Sequence, residues 1–447
     1  TIDVMDALGS NIRADSRGAE VMRVLPRVNE GINEEWLSDK SRYVVDGLTA
    51  RRLDRPWIRE NGKLRAATWN EALDAVAAKL KAASADRIGV IAGDLQDAES
   101  MKATLDLFRA LGSKNTDSRQ DGAALGYGPR EGWLFNTGLE GIEKADAVLI
   151  VGVNPRVEAP LLNARLRKSW IKGGVEIAVI GEQADLTFDY AYLGAGSKTL
   201  AKLPKAATDL LNKAERPAII VGSGALGGEG GAAVLNALGA LAKKTGVVTD
   251  SWNGFNVLHH AAARVAGLDM GFVPAEGGLT VAEMLKPGTL DVLFLLGADE
   301  VDPTGSNVFR VYLGSHGDRG AHGADVILPG AAYTEKSGIY VNTEGRVQLA
   351  ERVVFPKGEA KEDWAIIRAL SARVDQTLPY DTLEQLRAKL MGDHPTFGRI
   401  DYLPAPVSFD VASLGAKGDL GDTVFTSVVT DPYLSNPIAR SSATMAE

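Results

Sequence analysis

Ala147-Val148-Leu149-Ile150-Val151-Gly152-Val153-Asn154-Pro155-Arg156 is the stretch on which the fold turns. An unbroken apolar run closed by glycine and then proline is too short for a helix and too uniformly apolar for a half-solvated strand. It fits a strand buried on both faces, as a covered parallel sheet requires. Leu161, Leu166 and Trp170 follow at helical spacing. The same order recurs at Arg87-Ile88-Gly89-Val90-Ile91-Ala92-Gly93, ahead of a helix through Met101, Leu105 and Phe108, and again at Val175 to Gly181, Ala218 to Gly222 and Asp291 to Gly297. Repeated strand-then-helix units predict a doubly wound α/β body built on parallel sheets.

On the N-terminal side the pattern changes. Asn11 to Asp15 and Glu20 to Leu25 alternate with period two around Ser16-Arg17-Gly18, which predicts a small β hairpin head over residues 1–53. Thr68-Trp69-Asn70-Glu71 has capping-box spacing and predicts a helix to about Lys81. The body is expected over 54–375 as two interleaved αβα lobes. Helices are expected at Lys361 to Val374 and Thr382 to Met391. Beyond them Pro395, Pro404, Pro406 and a Gly/Ser/Asp-rich tail suggest an irregular C-terminal part over 376–447, an extended arm lying on a neighbour or disordered.

Composition narrows the function. Lys and Arg number 49 against 58 Asp and Glu, a formal charge of −9, which argues against nucleic acid as a partner. The chain has no cysteine, which excludes disulfides, a cysteine nucleophile and cysteine-ligated iron–sulfur clusters within these residues. No apolar run approaches the ~20 residues of a membrane-spanning helix, so direct membrane insertion is not expected. Thr1 stands where a Met would begin a complete protein, and no targeting peptide is visible, so a longer polypeptide is expected.

Several motifs admit two readings. Gly222-Ser223-Gly224-Ala225-Leu226-Gly227 matches the dinucleotide fingerprint, with Asp250 as the ribose-binding acid at the end of the next strand. It is equally a tight turn in a glycine-rich chain, and the Glu229 charge would compete with a pyrophosphate. Gly152 to Arg156, followed by Arg165, Arg167 and Lys168, is either a phosphate site at a strand end or a proline-started helix with a solvated basic face. Ser315 to Asp325 carries His316, His322, Asp318 and Asp325, which are either metal ligands or a polar loop. His259 and His260 are adjacent on an expected helix and point apart, which disfavours a shared metal. Glu335 and Lys336 offer proton transfer or a loop salt bridge.

Ile2 to Ile12, Val24-Leu25-Pro26-Arg27, Asn33 to Lys40, Asn154 to Leu161 and Leu328 to Lys336 together resemble the molybdopterin oxidoreductase superfamily. The likeness is strongest to its branch of largest peripheral-arm iron–sulfur subunits of respiratory complex I, the proton-pumping NADH:quinone oxidoreductase, and runs from Ile2 to Met445. It implies that 2Fe-2S and 4Fe-4S clusters sit in a cysteine-rich N-terminal region outside this chain, and that FMN sits on a partner, the flavin-bearing NADH-oxidising module. It also implies a location on the cytoplasmic side of a bacterial inner membrane or the matrix side of the mitochondrial one.

Active members of the superfamily hold a 4Fe-4S cluster on head cysteines. The similar positions here read Gly9-Ser10 and Leu37-Ser38-Asp39-Lys40-Ser41-Arg42, and serine is a poor ligand for that cluster. Asp117 and Ser118 are the nearest counterparts of the residue on molybdenum. Gly181-Glu182-Gln183 stands where Asp-Pro-Arg usually binds the pterin dinucleotide, and the capping C-terminal barrel is missing. The resemblance therefore implies a cofactor-free supporting body with no catalytic residue and no metal. Any vestigial pocket would use Gly152, Asn154, Asn342 and Arg346. The alternative is an active molybdopterin- or nucleotide-dependent oxidoreductase using the same contacts.

Overall fold

The structure, a computed structural model, describes residues 1–302, 307–405 and 407–447; Pro406 lies outside them. The strands in chain order are β1 (Ile12–Arg17), β2 (Glu20–Pro26), β3 (Trp57–Glu60), β4 (Lys63–Ala66), β5 (Ile88–Ala92), β6 (Asn115–Asp117), β7 (Ala147–Val151), β8 (Glu176–Ile180), β9 (Ala191–Gly194), β10 (Pro217–Gly222), β11 (Phe255–Leu258), β12 (Val292–Leu296), β13 (Phe309–Gly314), β14 (Val326–Pro329), β15 (Gly338–Val341) and β16 (Val347–Ala350). One sheet has five parallel strands in the order β11-β10-β7-β8-β9. The other has seven, β4-β3-β14-β13-β12-β5-β6, parallel except for the β3–β4 hairpin on one edge. The five-stranded lobe, built from β7 to β11, is inserted between the two halves of the seven-stranded one. The α/β class and its parallel sheets are as the opening stretch predicts.

The central strands are covered on both faces, as their sequence requires. In β7, Val148 and Ile150 pack into one core with Leu162 and Leu166 of the helix Pro160–Ile171. Leu149 and Val151 face the opposite core with Val234 and Leu238 of the helix Gly231–Lys244. Each such side chain removed from water is worth about 1.5–3 kcal/mol. In β12, Phe294 meets Phe108 edge-on with ring centroids 5.6 Å apart. Thr68 completes its capping box at the start of the helix Trp69–Ala82, and Thr382 does the same for the helix Leu383–Asp393.

Three expectations need correction. No helix follows β8, because residues 181–190 run irregularly into β9, and no long helix among the described residues joins β12 to β13. His259 and His260 lie in the loop after β11 rather than on a helix, since the helix begins only at Arg264. The tail neither projects nor is disordered; it is laid over its own chain. Asn236 Nδ2 donates to the Leu414 carbonyl (2.9 Å), Phe425 is buried at 2 % exposure, and Ile438 joins the apolar core of the head. Scattered buried anchors hold a segment that its average composition marks as polar.

Candidate functional site

In open parallel sheets the carboxyl ends of the strands are where ligands bind. Here the two sheets deliver Asp94 (after β5), Gln120 and Asp121 (after β6), Glu158 (after β7), His260 (after β11) and Glu300 (after β12) to one region. A cavity of 370 Å³ opens there, lined also by Arg319, Arg440 and the tail segment Val428 to Asp431.

Electrostatics organises this cluster. His260 lies 3.5 Å from Asp94 and 3.9 Å from Asp121. Burial alone would lower its pKa, but the two carboxylates outweigh burial and raise it. Arg264, 1 % exposed, reaches Asp121 at 3.0 Å and leaves Nε and Nη1 without a hydrogen-bond partner. Glu158 is fully buried, and burial raises its pKa even though Oε1 accepts from the Asn154 amide (3.0 Å) and from Ser427 Oγ (2.8 Å). The adjacent His259 is pushed down to about 3, chiefly by burial, while its Nε2 meets the Trp133 carbonyl at 2.7 Å. The arrangement can hold protons and charge. It offers no nucleophile paired with a base.

The residues singled out from the sequence do not all come together. Gly152 and Asn154 sit at the end of β7. A Cβ on Gly152 would collide with Ala225, and Asn154 Oδ1 caps the Arg156 amide (3.1 Å). Asn342 and Arg346 instead lie in the turn between β15 and β16. Asn342 Nδ2 donates to the Leu8 carbonyl (3.0 Å), and Arg346 Nε donates to Glu344 (2.8 Å). Asp250 precedes β11 instead of ending it, so it stands at the wrong end of the strand for a ribose, and Glu229 is exposed.

Other expected pairings are rearranged. Arg165 is buried at 3 % exposure and pairs with Glu143, while Lys168 pairs with Glu34 and Glu143; the basic face is a structural ion cluster. Both ring nitrogens of His316 are engaged, with Ser315 Oγ and the Gly47 carbonyl, each at 2.8 Å. No metal-binding group of three His, Asp or Glu occurs among the described residues. Glu335 and Lys336 do not pair with each other. Glu335 binds Arg52, and Lys336 binds Asp97 (2.6 Å) and Asp363 (3.0 Å). These buried pairs leave no local signature, because their partners are far apart in sequence.

Neither group implied by the fold fits the residues present. At the position of a head cluster, Ser41 Oγ donates to Asp3 (2.5 Å) and meets Ser38 Oγ (2.8 Å), while Lys40 pairs with Asp6 (3.2 Å). Burial pushes Asp3 up to about 7. This is a closed hydrogen-bond network without thiolates. At the position of a pterin dinucleotide, the Glu182 amide donates to the Phe425 carbonyl (2.9 Å), and a Cβ on Gly224 would collide with the Thr426 carbonyl. The tail fills that crevice. Asp117 is held by Arg119 at 2.8 Å.

Comparisons with known proteins agree with the fold. Residues 52–373 match the family described as Molybdopterin oxidoreductase, and residues 1–46 match NADH-ubiquinone oxidoreductase NDSU1/NuoG-like, 4Fe-4S domain. Residues 402–447 match the family of C-terminal regions of the same NADH-ubiquinone oxidoreductase subunit. The chain is 44 % identical to the mitochondrial NADH-ubiquinone oxidoreductase 78 kDa subunit of Candida albicans, over all of this chain and 63 % of that protein. It is 43 % identical to an NADH-quinone oxidoreductase subunit of Rickettsia bellii, over all of this chain and 64 % of that one. It is 41 % identical to the mitochondrial NADH dehydrogenase [ubiquinone] iron-sulfur protein 1 of Solanum tuberosum, over all of this chain and 60 % of that one. The chain thus spans about three-fifths of the length of these curated relatives. Among solved structures, acetylene hydratase from Pelobacter acetylenicus is similar with a TM-score of 0.59 at 15 % identity, covering 90 % of this chain and 75 % of that one; this likeness concerns fold alone.

Proposed function

Because the chain belongs to the molybdopterin oxidoreductase family, we propose that it has kept the family's body and given up its cofactors. In this reading it is part of the largest peripheral-arm subunit of respiratory complex I, the proton-translocating NADH:ubiquinone reductase. It is a supporting body for the cluster-bearing electron-transfer region and carries no catalytic residue itself. Similarity over its whole length to proteins named as subunits of NADH-quinone oxidoreductases supports this. The observation that carries it is the tail backbone lying where a pterin dinucleotide would have to lie.

The partners are then the other peripheral-arm subunits, including the flavin-bearing NADH-oxidising module with its FMN; nucleic acid has no place in the reading. The 2Fe-2S and 4Fe-4S clusters belong to a cysteine-rich region of the full subunit. No helix among the described residues is long and apolar enough to cross a membrane, which suits a peripheral position on the cytoplasmic side of a bacterial inner membrane or the matrix side of the mitochondrial one. We divide the chain into a head (1–53), an α/β body (54–375) and a C-terminal arm (376–447). The family matches to 1–46, 52–373 and 402–447 support that division.

Elemental analysis and pterin fluorescence of the purified chain test the loss of cofactor. The expected result is neither molybdenum, tungsten nor pterin above background. Stoichiometric metal with pterin would favour the rival reading of an active oxidoreductase.

A further inference from the structure

The segment from Thr423 to Ser435 behaves as a ligand in its contacts. The Ser197 amide donates to the Thr423 carbonyl (2.9 Å), and the Glu182 amide donates to the Phe425 carbonyl (2.9 Å). Val424 forms an antiparallel bridge with Gly196, and the Phe425 amide donates to the Ala195 carbonyl (2.9 Å). The Thr426 carbonyl approaches Gly224 so closely that only glycine fits there. Ser427 Oγ then donates to the buried Glu158 (2.8 Å), and residues from Val428 to Ser435 roof the 370 Å³ cavity beside His260 and Arg319. Phe425 is the apolar anchor, 2 % exposed. Further on, Arg440 pins the segment to Glu300 (2.6 Å) and Asp318 (2.7 Å).

We propose that residues 423–435 are a tethered occupant of the strand-end crevice, an autoinhibitory strap that spends the crevice's backbone N–H donors and its glycine cradle on its own carbonyls. A ligand bearing a diphosphate can then enter only when the strap leaves. The groups freed by its departure suit such a ligand: backbone amides at Glu182 and Ser197, a glycine that permits close approach, and the cations Arg319 and His260 beside the cavity. A tethered segment competes at an effective concentration in the millimolar range, so a free ligand of ordinary affinity is excluded from the intact chain. This inference stands apart from the assignment to complex I, because it concerns only contacts within the chain.

The test is residue-resolved hydrogen exchange and ADP binding on the full 447-residue chain, comparing the native protein with Phe425→Asp and with the milder Ser427→Ala. The native chain is expected to protect the Glu182 and Ser197 amides and to bind no ADP up to about 1 mM. Phe425→Asp is expected to speed exchange at those two amides by at least about tenfold while Ile150 and Val221 keep their protection, and to bind ADP. Ser427→Ala, which keeps the apolar anchor, should move both readouts the same way by less, and it decides the matter if Phe425→Asp does not fold. Unchanged protection in the folded variants, ADP binding equal to that of the native chain, or no ADP binding once the amides are open would each overturn the proposal.

Discussion

Arg52 holds both carboxylate oxygens of Glu335, with Nη2 2.6 Å from Oε2 and Nη1 on Oε1, and so ties the end of the head to the turn after β14. Both side chains are almost completely buried, at 6 % and 2 % exposure. The pair is further fixed by Arg52 donating to the Ser315 and Leu48 carbonyls (3.0 and 3.1 Å), and by Glu335 accepting from the Ala332 amide (3.0 Å). Removing one partner leaves a buried charge, so Arg52→Met should cost about 3–5 kcal/mol. The double change Arg52→Met with Glu335→Leu should recover much of that loss. Urea unfolding of the three variants checks the cycle, and an equal cost for the single and the double change would contradict it.

A second prediction concerns acid. His259 and His316 are pushed down to about 3, mainly by burial, whereas an unfolded histidine titrates near 6.5. The unfolded chain therefore binds protons that the folded one refuses, and stability from each falls as pH drops from about 6.5 by about 1.4 kcal/mol per pH unit. Asp3, Glu99 and Asp299, raised by burial to about 7, act in the opposite sense, because their protonation on acidification favours the folded state. His316→Gln isolates one histidine. Its destabilisation relative to the native chain should shrink by about 1 kcal/mol per pH unit between pH 6 and 4. A constant difference across that range would show that His316 is not kept neutral.

The head network makes a chemical prediction. Anaerobic treatment of the chain with ferrous iron and sulfide should give no visible sulfide-to-iron absorption and no cluster signal in electron paramagnetic resonance, since Ser10, Ser38 and Ser41 supply no thiolate and Ser41 is committed to Asp3. A stable 4Fe-4S signal would mean that other ligands of the chain had been overlooked.

Gly47 reports on the seam between head and tail. A Cβ there would strike the carbonyl of Ile438, in the helix Pro437–Ser441 that packs on the head, while the Gly47 carbonyl accepts from buried His316 Nε2 (2.8 Å). Gly47→Ala should therefore cost about 1–3 kcal/mol through overpacking, although alanine is ordinarily harmless in a helical turn. Thermal unfolding and cleavage by a protease near the C-terminus should both shift, and an unchanged midpoint would contradict the contact.

What the sequence disclosed and what it hid divide along physical lines. β7 and β12 were legible because burial on both faces leaves an unbroken apolar run, and the helix Trp69–Ala82 was legible because Thr68 and Glu71 are neighbours that cap it. β9 was hidden because it is an edge strand of only four residues whose pairing comes from β8. The irregular 181–190 connection between them has no periodicity to read. Arg165 looked solvated because its acidic partners, Glu143 and Glu34, come from other segments. The same holds for the site. Asp94, Asp121 and His260 arise on three separate strand ends, and no local spacing announces that His260 will stand between two carboxylates. The tail was hidden for the related reason that its anchors, Phe425 and Ile438, are isolated in a polar stretch.

If this body serves respiratory complex I without a cofactor of its own, it must travel with the complex. Native electrophoresis of mildly solubilised membranes, probed for this chain and stained for NADH oxidation, reads that out. The chain should migrate with a large NADH-oxidising band. Migration as a free species away from that band would contradict the assignment.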